Sequence, residues 1–93
     1  MSPGGPYELV LTPPATRAIR QHLPDAVAAA VVEFLTGALL DNPHRVGKPL
    51  RGDLAGIFSA RRGTYRVLSR INEALQEVVV LRIEHRRDVH RGS

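Results

Sequence analysis

At 93 residues the chain is long enough for one hydrophobic core and too short for two, since domains usually run ~50–200 residues. It has no cysteine, which excludes disulfide staples and thiolate metal centres, and no run of ~18 apolar residues that would span a bilayer. The formal net charge is +4, while two Tyr, two Phe and no Trp describe an aliphatic core with little aromatic surface on which bases would stack.

A single domain over residues 1–93 is therefore expected, frayed at 1–6 and 92–93. The first six residues show neither a basic n-region nor an apolar h-region, so a soluble cytoplasmic protein is expected. The charge is unevenly spread. Residues 1–43 carry net −2 and residues 71–81 another −2, whereas residues 44–70 carry +6 and residues 82–93 carry +2. A polyanion would meet one basic face and not a uniformly basic particle.

In chain order, Tyr7 to Leu11 (YELVL) reads as a first strand stopped by Thr12 and the pair Pro13-Pro14. Thr12 suits an N-cap and proline suits the first helical position, and Ala15, Ala18, Ile19 and Leu23 recur at helical spacing. That is a first helix of about two and a half turns. Pro24-Asp25 restarts the chain, and Val27, Val31, Phe34, Leu35, Ala38 and Leu39 form the apolar stripe of a second helix running to about Leu40. Gly37 inside it marks either an early end or a close contact.

Asp41 to Asp53 holds two prolines, two glycines and, counting His44, four basic residues, and it reads as an irregular connection. Two antiparallel strands follow, roughly 56–61 and 64–71, joined by a hairpin turn at Gly63. A last strand is expected over Gln76 to Glu84. The fold class is α+β: two helices from the N-terminal half packed on one face of a four-stranded, mostly antiparallel sheet.

Because neighbours in a strand point to opposite faces, Tyr65, Val67 and Ile71 are expected on one face and Arg66, Leu68 and Arg70 on the other. In the last strand Val79, Leu81 and Ile83 are expected against the helices. Val78, Val80 and Arg82 are expected opposite them. Arg66 and Arg82 would then lie on the uncovered face, as the floor of a cationic groove or as ordinary solvated strand residues. No metal or cofactor is expected: His85 and His90 are five apart, wrong for one helical face, and neither a phosphate-binding glycine loop nor a nucleophile elbow occurs.

Order and motifs together resemble the RelE/ParE toxin family. The resemblance rests on Asn42-Pro43-His44-Arg45-Val46-Gly47-Lys48-Pro49-Leu50, on Ser59-Ala60-Arg61-Arg62-Gly63-Thr64-Tyr65-Arg66-Val67-Leu68, and on His85-Arg86-Arg87-Asp88-Val89-His90-Arg91. It covers essentially residues 7–91, and the order and spacing of the three segments are specific where no single one is. It implies a microbial-ribonuclease-like sheet and the toxin of a type II toxin–antitoxin system, neutralised by a cognate RelB-like antitoxin. RelE-like members cleave mRNA on the ribosome, ParE-like members poison gyrase, and toxin–antitoxin complexes bind operator DNA.

Metal-free RNA cleavage needs a base for the 2′-hydroxyl proton, cations for the pentavalent phosphate and an acid for the departing 5′-oxygen. Arginine fits the cation role, with a planar fork that stays charged. The resemblance places Arg66 at the scissile phosphate and puts Arg86, within one position shared with Arg87, in the C-terminal arginine role. Arg61 and Arg62 flank the turn, where they hold neighbouring phosphates and, Arg61 above all, join Arg66 and Arg86 as catalytic groups that stabilise the transition state, or else form a solvated hairpin tip. Lys48, Arg51, Arg62, Arg82 and Arg87 are the expected RNA contacts.

His90 stands where many members carry a catalytic tyrosine, and a histidine near neutrality serves proton transfer well. Some YoeB-like relatives use a C-terminal histidine. The lysines that RelE enzymes often carry before the turn are missing, since Ile57-Phe58-Ser59-Ala60 occupies that stretch. The base must then come from His90, His85, Lys48, Glu84 or the ribosome, and loss of both features would leave an inactive binding module. Leu68, Val78 and Val80 are the expected apolar seat for the antitoxin.

Overall fold

Thr12 and the prolines behind it convert strand to helix, as their residue types require. In the computed structural model, which describes residues 7–86, β1 (Glu8–Leu11) runs directly into α1 (Pro13–Arg17) with Thr12 at the N-cap position. The Thr12 hydroxyl does not cap the helix. It points back to the sheet and is shared between the carbonyl oxygens of Val80 at 2.8 Å and Leu81 at 3.0 Å.

The first helix is not one continuous α-helix. After Arg17 it widens into a π-helical turn, Ala18–His22, closed by the Leu23 N–H donating to the Ala18 carbonyl at 3.0 Å. The wider turn brings Leu23 into the core before Pro24 ends the helix. Next, α2 (Asp25–Thr36) buries Val31, Phe34 and Leu35. It stops at Gly37, four residues short of the expected end at Leu40. Both readings of Gly37 hold: the helix ends there, and a Cβ would lie 3.0 Å from the Glu33 carbonyl oxygen. The short helices α3 (Ala38–Asp41) and α4 (Pro43–Val46) complete the layer.

The segment expected to be irregular forms α4, a two-residue strand β2 (Lys48–Pro49) and a 3₁₀ turn (Gly52–Leu54). The remaining strands are β3 (Ile57–Arg62), β4 (Tyr65–Asn72) and β5 (Glu77–His85). The sheet therefore has five strands and not four, in the order β1-β5-β4-β3-β2, with β1 parallel to β5 and the other pairs antiparallel. The fifth strand escaped the sequence because two residues are too few to show a period, and Pro49 suits only an edge.

Gly63, at φ +54°, closes the β3–β4 hairpin, for which glycine at the first loop position is suited. The β4–β5 register is regular from Asn72↔Glu77 to Ser69↔Val80 and then shifts, so that Leu68 faces Arg82 and Leu81 is an extra residue. This β-bulge overturns the parity expected for β5. Val78 and Val80 are fully buried beneath the helices, whereas Val79 and Leu81 are half-buried on the other face. Beyond the bulge the parity flips, which returns Ile83 to the core and Arg82 to solvent. Leu35, Leu39, Val31, Val67, Val78 and Val80 form the dry centre between the helices and the sheet. Among the described residues, no helix is long and apolar enough to cross a membrane.

Candidate active site

The hairpin turn and the bulge together decide which side chains share the uncovered face. Continuing the Asn72↔Glu77 register without an extra residue would set Arg66 opposite Ile83. With Leu81 inserted, Arg66 faces Glu84, and Arg61 pairs with Arg66 from the other side. Arg61, Arg66 and Glu84 thus form one row across β3, β4 and β5, with neighbouring strands ~4.8 Å apart.

The row lines an open concavity of about 300 Å³ whose walls are Arg61, Gly63, Thr64, Tyr65, Arg66, Glu84 and Arg86. Arg86 is held at its rim by its backbone N–H, which donates to the Thr64 carbonyl at 2.6 Å. Three arginines and one glutamate therefore line a single hollow. Glu84 lies 3.8 Å from Arg66 (Oε1 to Nη1) and 3.6 Å from Arg82 (Oε2 to Nε). Pairs this long and this open to solvent contribute ~0–1 kcal/mol, so they orient the groups more than they stabilise the fold.

Residues nominated from the sequence fall into four groups. Arg61, Arg66 and Arg86 share the concavity. Lys48 and Arg82 lie in the adjacent row on the same face, Lys48↔Ser59↔Leu68↔Arg82, and Arg51 is exposed just before the 3₁₀ turn. Arg62 does not join them: it pairs with Tyr65 on the helix-covered face, and its guanidinium carbon stands 4.8 Å from the centroid of the Phe34 ring. Arg87 and His90 lie outside the described residues.

Tyr65 is core-facing, 8% exposed, with its hydroxyl donating to the Ala30 carbonyl at 3.4 Å. Burial pushes its phenol above the ordinary tyrosine value, with Glu33 adding to the rise and Arg62 opposing it. His85 is also turned inward, 7% exposed, with Nε2 at 3.2 Å from the Thr64 hydroxyl. Of the seat expected for the antitoxin, Leu68 remains half-buried on the open face, whereas Val78 and Val80 are core residues. Among the described residues no three His, Asp or Glu side chains come together as metal ligands.

The family profile described as "ParE toxin of type II toxin-antitoxin system, parDE" matches residues 9–90. The chain is 54% identical over 86 residues to Toxin RelG of Mycobacterium tuberculosis, covering 92% of this chain and 98% of that one. The chain belongs to the RelE/ParE toxin family. It is also 50% identical to Toxin RelE of the same organism, over 92% of this chain and 88% of that protein.

Among solved structures, this toxin superposes on a chain of the toxin–antitoxin complex RelBE2 of M. tuberculosis with a TM-score of 0.83, at 54% identity over 87% of this chain and 99% of that one. The isolated RelE toxin of E. coli has the same fold, with a TM-score of 0.71 at 20% identity over 92% of this chain and 93% of that one. What the sequence missed was the Arg66–Glu84 pairing. Arg66 was expected on the open face and Glu84 was named only as one candidate base; their register depends on a bulge that leaves no short motif.

Proposed function

We propose that this type II toxin is a ribosome-dependent mRNA endoribonuclease that needs no metal and inhibits translation. The observation that carries the reading is the convergence of Arg61, Arg66 and Arg86 on one concavity of the uncovered sheet face. Guanidinium groups in fixed positions stabilise charge developing on a pentavalent phosphate without reorganising during the reaction. Lys48 and Arg82 extend the cationic face along the next row, and Arg51 and Arg87 add contacts to the RNA backbone. Arg62 supports the fold from the other face. His90 donates the proton to the departing 5′-oxygen, and the products are a 2′,3′-cyclic phosphate and a 5′-hydroxyl.

The toxin acts in the cytoplasm, where a RelB-like antitoxin neutralises it and the complex binds operator DNA. Two solved relatives are toxin–antitoxin complexes, which supports such a partner here. The apolar residues of the open face, Leu68, Val79 and Leu81, provide its seat in place of Val78 and Val80.

Induction of the chain alone in a bacterial host tests the reading. Growth arrest with new mRNA ends in phase with codons is expected, and both should vanish in Arg66→Ala. Arrest with intact mRNA and an SOS response would point instead to a gyrase poison of the ParE kind. Harmless soluble protein would point to an inactive antitoxin- and operator-binding module.

A further inference from the structure

Glu84 brings the concavity its carboxylate, one of several groups from which the sequence left the base to be chosen. A negative charge is unfavourable in a hollow that receives a polyanion, because it repels phosphate and offsets part of the arginine charge. Its two ion pairs, at 3.8 Å and 3.6 Å, stabilise the fold too little to account for it. Cleavage does require a proton acceptor within ~2.6–3.2 Å of the 2′-hydroxyl. Arginine, with a pKa above ~12, does not serve.

The structure separates the other described candidates from the site. His85 is buried on the opposite face against Thr64, and Lys48 stands on edge strand β2, three strands from Glu84. Glu84 faces the hollow, with Arg66 opposite on β4, Arg61 beyond it on β3, Arg82 on its own strand and Arg86 at the rim.

We propose that Glu84 is the proton acceptor of this site, taking the 2′-hydroxyl proton of the RNA. This rests on the ribonuclease reading. As the proton passes to the Glu84 carboxylate, the 2′-oxygen bonds to phosphorus and the bond from phosphorus to the 5′-oxygen breaks. The 5′-oxygen takes its proton from the acid, the role proposed for His90, and Glu84 later returns its proton to solvent. Arg66 links the two tasks: Nη1 faces Glu84, and its remaining N–H donors are free to hold the phosphate at a set distance from the base.

The test is single-turnover cleavage by the full chain, freed of antitoxin, on programmed ribosomes with a sense codon in the A site. Glu84→Gln keeps the shape and should slow cleavage ~100-fold or more. Glu84→Asp should restore part of the rate. An mRNA carrying a 5′-bridging phosphorothiolate, whose leaving group needs no acid, should not rescue Glu84→Gln. A Glu84→Gln rate close to wild type, or rescue by the phosphorothiolate, would overturn the assignment. A wild-type chain that does not cleave would overturn the ribonuclease reading itself, and the assignment with it.

Discussion

Arg61 and Arg62 are neighbours in the chain with opposite surroundings. Arg61 heads the row that continues through Arg66 to Glu84 on the open face, while Arg62 heads the row that continues through Tyr65 to His85 beneath the helices. The first row is charged and accessible around a hollow. In the second, Tyr65 and His85 are buried, and the guanidinium of Arg62 lies over an aromatic ring. The same residue type thus lines an open hollow on one face and packs on an aromatic ring on the other, and the pleat of one strand separates the two settings.

The largest effect expected from this contrast is on the open face. Arg66→Ala should slow ribosome-dependent cleavage by about 10²–10³ while its urea midpoint stays at the wild-type value. A parallel loss of stability would show that Arg66 packs as much as it acts.

Next comes the bulge that joins the two faces. Thr12→Val removes the hydroxyl shared by the Val80 and Leu81 carbonyls and should cost about 1–3 kcal/mol in urea unfolding. Cleavage per folded molecule should fall as well, because the Arg66↔Glu84 register lies beyond the bulge. Full stability with full activity would mean that strand pairing alone holds the bulge.

On the covered face, Arg62→Ala should cost about 0.5–1 kcal/mol through lost contact with Phe34 and leave cleavage unchanged. A cleavage defect in this variant with normal unfolding would return Arg62 to the RNA-binding surface.

The smallest expected effect lies away from both rows, where Glu73 joins three segments. Its carboxylate bonds to Nε2 of His44, and Tyr7 donates its hydroxyl to it at 3.0 Å. Hydrogen bonding to His44 first, then to Tyr7, holds the Glu73 carboxyl below the usual carboxylate range, against a smaller opposing effect of burial. A folded-state value below the unfolded one contributes stability above the unfolded pKa of ~4.3, and that contribution is lost as pH falls through the folded value. Melting curves of wild type and Glu73→Gln should therefore differ above pH ~5 and converge as the solution becomes more acidic. A constant difference down to pH ~3 would contradict the linkage.

His44 shows how far local sequence reasoning reaches. Nothing in the sequence around Pro43 marks a distant partner for it, yet it bonds to Glu73, 29 positions away, and its ring packs edge-on against Phe58. Arg66 and Arg82 were placed correctly on the uncovered face, but Arg82 on a parity that was wrong for Val78 through Leu81. Two errors, the wrong face before the bulge and the missing bulge, cancelled at Ile83 and Arg82.

By itself the sequence determined the β-α-α-β-β-β order, the helix start at Pro13, the turn at Gly63 and the concentration of positive charge in two segments. Each of these follows from local properties: side-chain period, the fixed φ of proline, the freedom of glycine and the count of charges. Only the tertiary structure decided the fifth strand, the inward turn of Val78 and Val80, the separation of Arg61 from Arg62 and the meeting of Arg66 with Glu84. The last of these depends on where Leu81 is left out of the ladder. That position is set by pairing between strands and by the Thr12 hydroxyl, 68 residues before the carbonyl of Val80 that it satisfies.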